Sequence, residues 1–130
     1  MFPNREICIF DEKFWMNPGF AIELLPEATE FLEGLDDKTR EKIYYNMKKS
    51  QFVNDKELFK KLNDVIWEFR TLHNKKAYRL FAFWDKIQGK ETLVVATHGI
   101  LKKTQKTPRN EIKKAEEIRK QYFDYKTKSK

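Results

Sequence analysis

Three runs of alternating residues, joined by very short connections, constrain this chain more than any other feature. Val65, Trp67 and Phe69 alternate with Ile66, Glu68 and Arg70, so residues of one parity share one face of a strand. A turn at His73–Lys76 leads into Ala77–Trp84, where Arg79, Phe81 and Phe83 take one parity. Tyr78, Leu80, Ala82 and Trp84 take the other. Lys86–Lys90, containing Gly89, reads as a hairpin turn before a third strand at Thr92–His98. Parallel neighbours need a crossover of about a dozen residues or more. Neither connection supplies one, so these strands should form an antiparallel meander.

The flanks read mainly as helices. Phe20, Ile22 and Leu24 alternate as a short strand that Pro26 stops. Pro26 suits the first turn of a helix with Ala28, Phe31, Leu32 and Leu35 on its apolar side, and Gly34 near its end. Asp36 or Asp37 can cap a second helix carrying Ile43, Tyr44 and Met47, and two helices so closely joined predict a hairpin. A linker at Asn54–Asp55 and a helical turn at Glu57–Lys61 precede the meander. After it, Thr107 caps a closing helix whose first position is Pro108. Its apolar stripe is Ile112, Ala115, Ile118, Tyr122 and Tyr125, leaving Arg109, Lys113 and Lys120 exposed. The fold expected is α+β, an antiparallel sheet with the order β-α-α-β-β-β-α. Ile7–Phe10 offers an extra strand within an N-terminal extension (residues 1–18), the main domain spans 19–125, and 126–130 form a basic tail.

Charge narrows the partners. The chain carries 27 Lys and Arg against 20 Asp and Glu, a net charge of +7. Residues 102–130 hold 11 basic and 4 acidic residues, so the whole excess lies in the last part of the chain. Such asymmetry points to a polyanion, with nucleic acid foremost. Other chemistries lack their residues. His73, His98 and Cys8 lie far apart, so no zinc-ligand spacing exists and no metal or other cofactor is expected. The glycines form no phosphate-cradling pattern, and Ser50 and Ser129 sit in polar settings unlike a nucleophile's. A single cysteine fits a reducing cytoplasm. No apolar run approaches the ~20 residues that span a bilayer, and Arg5, Glu6 and Asp11 make the start unlike a signal peptide.

The densest positive charge lies in His98–Pro108, HGILKKTQKTP, where an apolar strand hands over to the closing helix. Lys102, Lys103 and Lys106, interleaved with Thr104, Gln105 and Thr107, can hold phosphate there; alternatively they form a solvated basic loop. Arg70 and Arg79 interrupt apolar strands and must face solvent or be paired, Glu68 being a same-face partner for Arg70. A suitable register would bring Arg70, Arg79 and His98 onto one face, with Lys102 and Lys103 at its rim. His98 is the candidate general acid or base, or else a strand-end histidine bound to a neighbour. His73 reads as a bystander, and Tyr78, Trp67 and Trp84 as core.

WEFRTLHNKKAYRLFAFW followed by LVVATHGILKKTQKTPRNEIKKAEEIRKQY resembles the HigB-type branch of the RelE/ParE toxin superfamily. The resembling features are Glu68 to Arg70, Tyr78–Arg79, His98 to Pro108, and Glu111–Ile112 with Ala115, together with Phe20–Leu35. Ile100 and Phe69 replace the phenylalanine and leucine usual there. The resemblance implies a ribosome-dependent endoribonuclease, cutting mRNA in the ribosomal A site by attack of a 2′-OH on the adjacent phosphate. By that resemblance Arg70, Arg79, His98 and Lys103 would carry the chemistry. Lys102, Lys106, Arg109, Lys113 and Lys120 would bind mRNA and ribosomal RNA backbone. It further implies a cognate antitoxin, often with a helix-turn-helix domain, and no membrane partner. Two alternatives remain: a non-catalytic ParE-like toxin of DNA gyrase, and a basic nucleic-acid-binding module.

Overall fold

The computed structural model describes residues 19–87, 90–102 and 107–128. The strand expected at Ile7–Phe10, the turn glycine Gly89, and Lys103 and Lys106 lie outside those residues.

Proline cannot extend a strand ladder, so β1 (Ala21–Leu24) ends and α1 (Pro26–Glu33) starts with Pro26 in its first turn. Asp36 caps α2 (Asp37–Ser50), its carboxylate accepting from the Thr39 N–H at 3.1 Å and the Thr39 hydroxyl at 2.6 Å. Then come β2 (Phe59–Lys61), β3 (Trp67–His73), β4 (Lys76–Ile87), β5 (Lys90–Lys102) and α3 (Arg109–Lys128). The five strands form one sheet in the order β1-β5-β4-β3-β2. β3, β4 and β5 are the antiparallel meander that their short connections require. Asn74 and Lys75 turn the β3–β4 hairpin at φ of 51° and 65°, the left-handed backbone that a two-residue turn needs.

The structure departs from the sequence reading at several places. The sheet is mixed rather than antiparallel, because β1 pairs with β5 in parallel. Everything from α1 to β4 separates those strands in sequence, so no tight turn dictates their direction. An added strand, β2, stands where a helical turn was expected. One helical-type bond does form, from the Phe59 N–H to the Asp55 carbonyl at 3.0 Å. From Phe59 onward the ring stacks on Phe69 and Trp67, at 4.4 and 4.8 Å between centroids, and the chain pairs with β3. Tertiary packing thus overrides a weak local preference. β5 runs on to Lys102, which is therefore a strand residue. α1 packs on β5 and α2 on β3, and the Arg40 guanidinium of α2 reaches back to donate to the Leu32 and Leu35 carbonyls at 3.3 and 2.8 Å. Lastly, Tyr125 is 73% exposed, and Tyr122 and Phe123 pack instead. Asp85 sets that rotation, accepting from the Tyr122 hydroxyl at 2.7 Å and the Lys126 ammonium at 2.6 Å. Lys126, expected to open a tail, is consequently a fixed helical residue.

Strand parity sorts the core into two layers. Ile22, Phe69, Tyr78, Leu80, Ala82, Val94 and Ala96 face α1 and α2 and meet Ala28, Leu32, Ile43 and Met47. Ile66, Phe81, Phe83 and Val95 face α3 and meet Ala115, with Ile112, Tyr122 and Phe123 packed around them. At Gly99 of β5 the Phe31 ring of α1 lies so near the backbone that a Cβ would overlap it. Gly99→Ala should therefore cost about 1–3 kcal/mol of stability through overpacking. Urea denaturation would measure it, and a second change, Phe31→Leu, should recover part of the loss.

Candidate phosphate-binding site

Register assembles a charged cluster on the α3 face. Arg70 lies directly opposite Arg79, which lies opposite Ile100. The next row inward is Lys60, Glu68, Phe81 and His98; the next row outward is Leu72, Ala77 and Lys102. Arg70, Arg79, His98 and Lys102 thus share one face. α3 approaches beside them, and the Thr107 hydroxyl just before it donates to Glu68 Oε1 at 3.2 Å. This hydroxyl was expected to cap α3. Instead the Pro108 carbonyl accepts the first helical bonds, from Glu111 and Ile112.

Glu68 is the anion of the cluster and only 2% exposed. Its Oε1 lies 3.5 Å from Arg79 Nε and its Oε2 lies 3.7 Å from Arg70 Nε. Both arginine Nε atoms are buried and make no hydrogen bond, so these ion pairs are their nearest compensation. One Nη1 donates to the Tyr78 carbonyl (Arg79, 3.0 Å) and the other to the Lys56 carbonyl (Arg70, 3.3 Å). Burial pushes the Arg79 pKa below its usual value, Glu68 opposes that, and Arg70 adds to it. Lys102 is likewise lowered, first by burial, then by Arg79, with Arg70 and Lys60 contributing. Four cations therefore stand against Glu68 and, more weakly, Glu57, and the surplus of positive charge suits an anionic ligand.

His98 is placed differently from the arginines. It is 3% exposed, stacked on Phe81 at 4.9 Å, with Nδ1 2.9 Å from the Thr97 hydroxyl and Nε2 3.0 Å from Glu111 Oε1. Burial pulls its pKa below the ordinary value, with Glu111 pulling the other way. A neutral ring bound to a carboxylate carries its proton on Nε2, leaving Nδ1 beside the Thr97 hydroxyl, which also donates to the Phe81 carbonyl at 3.3 Å. Both nitrogens are then engaged, and the ring ties β5 to the first turn of α3. Arg109, Lys113 and Lys120 are exposed along α3, apart from the buried cluster. Lys114 spans to Glu27 of α1 at 2.8 Å. The sequence reading gave Lys60 no place in the site, because a three-residue strand carries too little periodicity to be seen, and it named Glu111 without its contact to His98. Among the described residues no group of His, Cys, Asp and Glu is arranged to hold a metal ion, and no helix is long and apolar enough to cross a membrane.

His98 gives a pH test. Its folded pKa lies below the ordinary histidine value of 6.5, so the unfolded chain takes up the proton first as pH falls. This contribution to stability is intact above that value and lost as pH drops through it toward the folded pKa. Urea denaturation of the wild type should weaken across that window, and His98→Gln should show a flatter pH dependence.

The α3-face arrangement can now be set beside known families. No curated protein matches the chain significantly. Residues 30–120 match the family model described as phage-derived protein Gp49-like (DUF891). That span covers most of the chain and includes Glu68, Arg70, Arg79, His98 and Lys102. The chain therefore belongs to the Gp49-like family of phage-derived proteins, a toxin-like family related to the RelE and HigB type.

Proposed function

We propose that the chain is the toxin of a toxin–antitoxin pair and cuts mRNA on the ribosome. The observation that carries this reading is the Arg70–Arg79 pair, directly opposed across β3 and β4 with Lys60 and Lys102 on the same face. In the reaction a ribose 2′-oxygen gives up its proton and bonds to the adjacent phosphorus. The P–O5′ bond breaks, leaving a 2′,3′-cyclic phosphate, and the departing 5′-oxygen takes a proton. Arg70 and Arg79 would hold the charge that builds on the non-bridging oxygens, where preorganised cations help most. Lys102, whose proton burial and neighbouring cations loosen, is suited to donate to the departing oxygen. Lys103 would assist it, and Lys106, Arg109, Lys113 and Lys120 would carry the positive field along RNA backbone. His98, expected as a general acid or base, is assigned to anchoring α3, because both ring nitrogens are engaged. An antitoxin would neutralise the protein by covering the same basic face.

Mapping mRNA 5′ ends after induction tests the reading. Wild-type protein should produce translation-dependent cuts in phase with codons. Arg70→Ala and Arg79→Lys should reduce them by about 10²–10³-fold, since a lysine cannot reproduce a guanidinium fork. Growth arrest with intact mRNA and damaged DNA would overturn the reading in favour of a gyrase toxin. Intact growth and intact mRNA would leave only a basic binding module.

A further inference from the structure

We propose that Glu68 is the positioning residue of this site: its carboxylate, set between the Nε edges of Arg70 and Arg79, aims both guanidiniums at one phosphodiester. The catalytic consequence rests on the ribonuclease reading, whereas the structural half stands without it.

The side chains of Glu68, Arg79 and Arg70 are 3%, 8% and 23% exposed, so their mutual orientation is set in a largely dry environment. Each carboxylate oxygen serves a different arginine, Oε1 at 3.5 Å and Oε2 at 3.7 Å. Each guanidinium is then held a second time through Nη1, by the Tyr78 or the Lys56 carbonyl. Two such points restrain the plane of each guanidinium. Thr107 adds a further restraint, because its hydroxyl holds Glu68 itself at 3.2 Å. Glu68 is too little charge to neutralise the site, since Lys60, Arg70, Arg79 and Lys102 all stand around it. Its contribution is therefore orientation, with the surplus positive charge left for the ligand.

Orientation and charge separate experimentally. Glu68→Gln keeps the volume and an acceptor for Thr107 while removing one negative charge from the site. On programmed ribosomes its KM should stay level or fall, because the site becomes more positive, while kcat drops by about 10²-fold as the arginines lose alignment. Glu68→Asp keeps the charge but withdraws it by one methylene, and kcat should again fall with KM level. Wild-type kcat in either variant, or a loss carried by KM, overturns the proposal. A second measurement needs neither cleavage nor a folded variant. In nitrogen–proton spectra of the wild-type arginine side chains, the Arg70 and Arg79 Nε–H signals should stand away from the free-arginine position. Both should move together when a short DNA oligonucleotide, which lacks the attacking 2′-OH, is added. Signals at the free-arginine position, or an oligonucleotide that moves only one, overturn the proposal. Correct spectra with no cleavage by the wild type would retire the ribonuclease reading and leave the positioning role standing.

Discussion

Two arginines directly opposite one another on adjacent strands repel, and the cluster beside α3 is organised around Glu68, the buried carboxylate that makes the pairing tolerable. Like charges in cross-strand positions are destabilising even at a surface. Here Arg79 is nearly buried and Arg70 is half-covered, so solvent screens little of the repulsion. Glu68 offsets it by offering one oxygen to each, a geometry available because residues two apart on β3 share a face. The same carboxylate receives the Thr107 hydroxyl, so the strand chemistry and the start of α3 are coupled at one side chain.

Much of this was legible from the sequence because alternation is a strong signal in long strands. The parities of Trp67, Phe69, Tyr78, Leu80, Phe81 and Phe83 follow directly from it, and the core layers divide along them. Short connections likewise dictated the meander. What escaped has a common cause: features set by tertiary contact rather than local pattern. β2 exists because the Phe59 ring has Phe69 and Trp67 to stack on. The parallel direction of β1 follows from a partner far along the chain. The rotation of α3 that turns Tyr125 outward is imposed by Asp85 on β4, a residue in another element altogether.

The candidate site divides in the same way. Arg70 and Arg79 were visible as charges interrupting apolar strands, and only register was needed to bring them together. His98 carried two readings because a histidine at a strand end can either titrate or be bound. Burial and the engagement of both ring nitrogens are three-dimensional facts that its neighbours in sequence do not encode. Lys102 looked like a loop cation, yet the ladder between β4 and β5 extends far enough to hold it opposite Ala77. A lysine on a strand is better placed than one on a loop to act at a fixed distance from neighbouring arginines.

The two faces of the sheet do different work because they are covered differently. α1 and α2 together cover one face with Ala28, Leu32, Ile43 and Met47. On the other face a single helix contributes Ala115 as its fully buried residue, with Ile112, Tyr122 and Phe123 packed alongside. The Glu68 row passes through that core at Phe81, and the next row outward carries Arg70, Arg79 and Ile100. Three contacts hold that helix in register with the rows: Thr107 with Glu68, His98 with Glu111, and Lys114 with Glu27. All three lie before or near the start of α3, whereas Asp85 fixes its far end. α3 is thus pinned at both ends, and its N-terminal pin is made by the same acid that sets the arginines. Loosening that end would disturb the cationic cluster together with Phe81, which stacks on His98, whereas Phe83 packs against Tyr122 and Phe123 toward the far end.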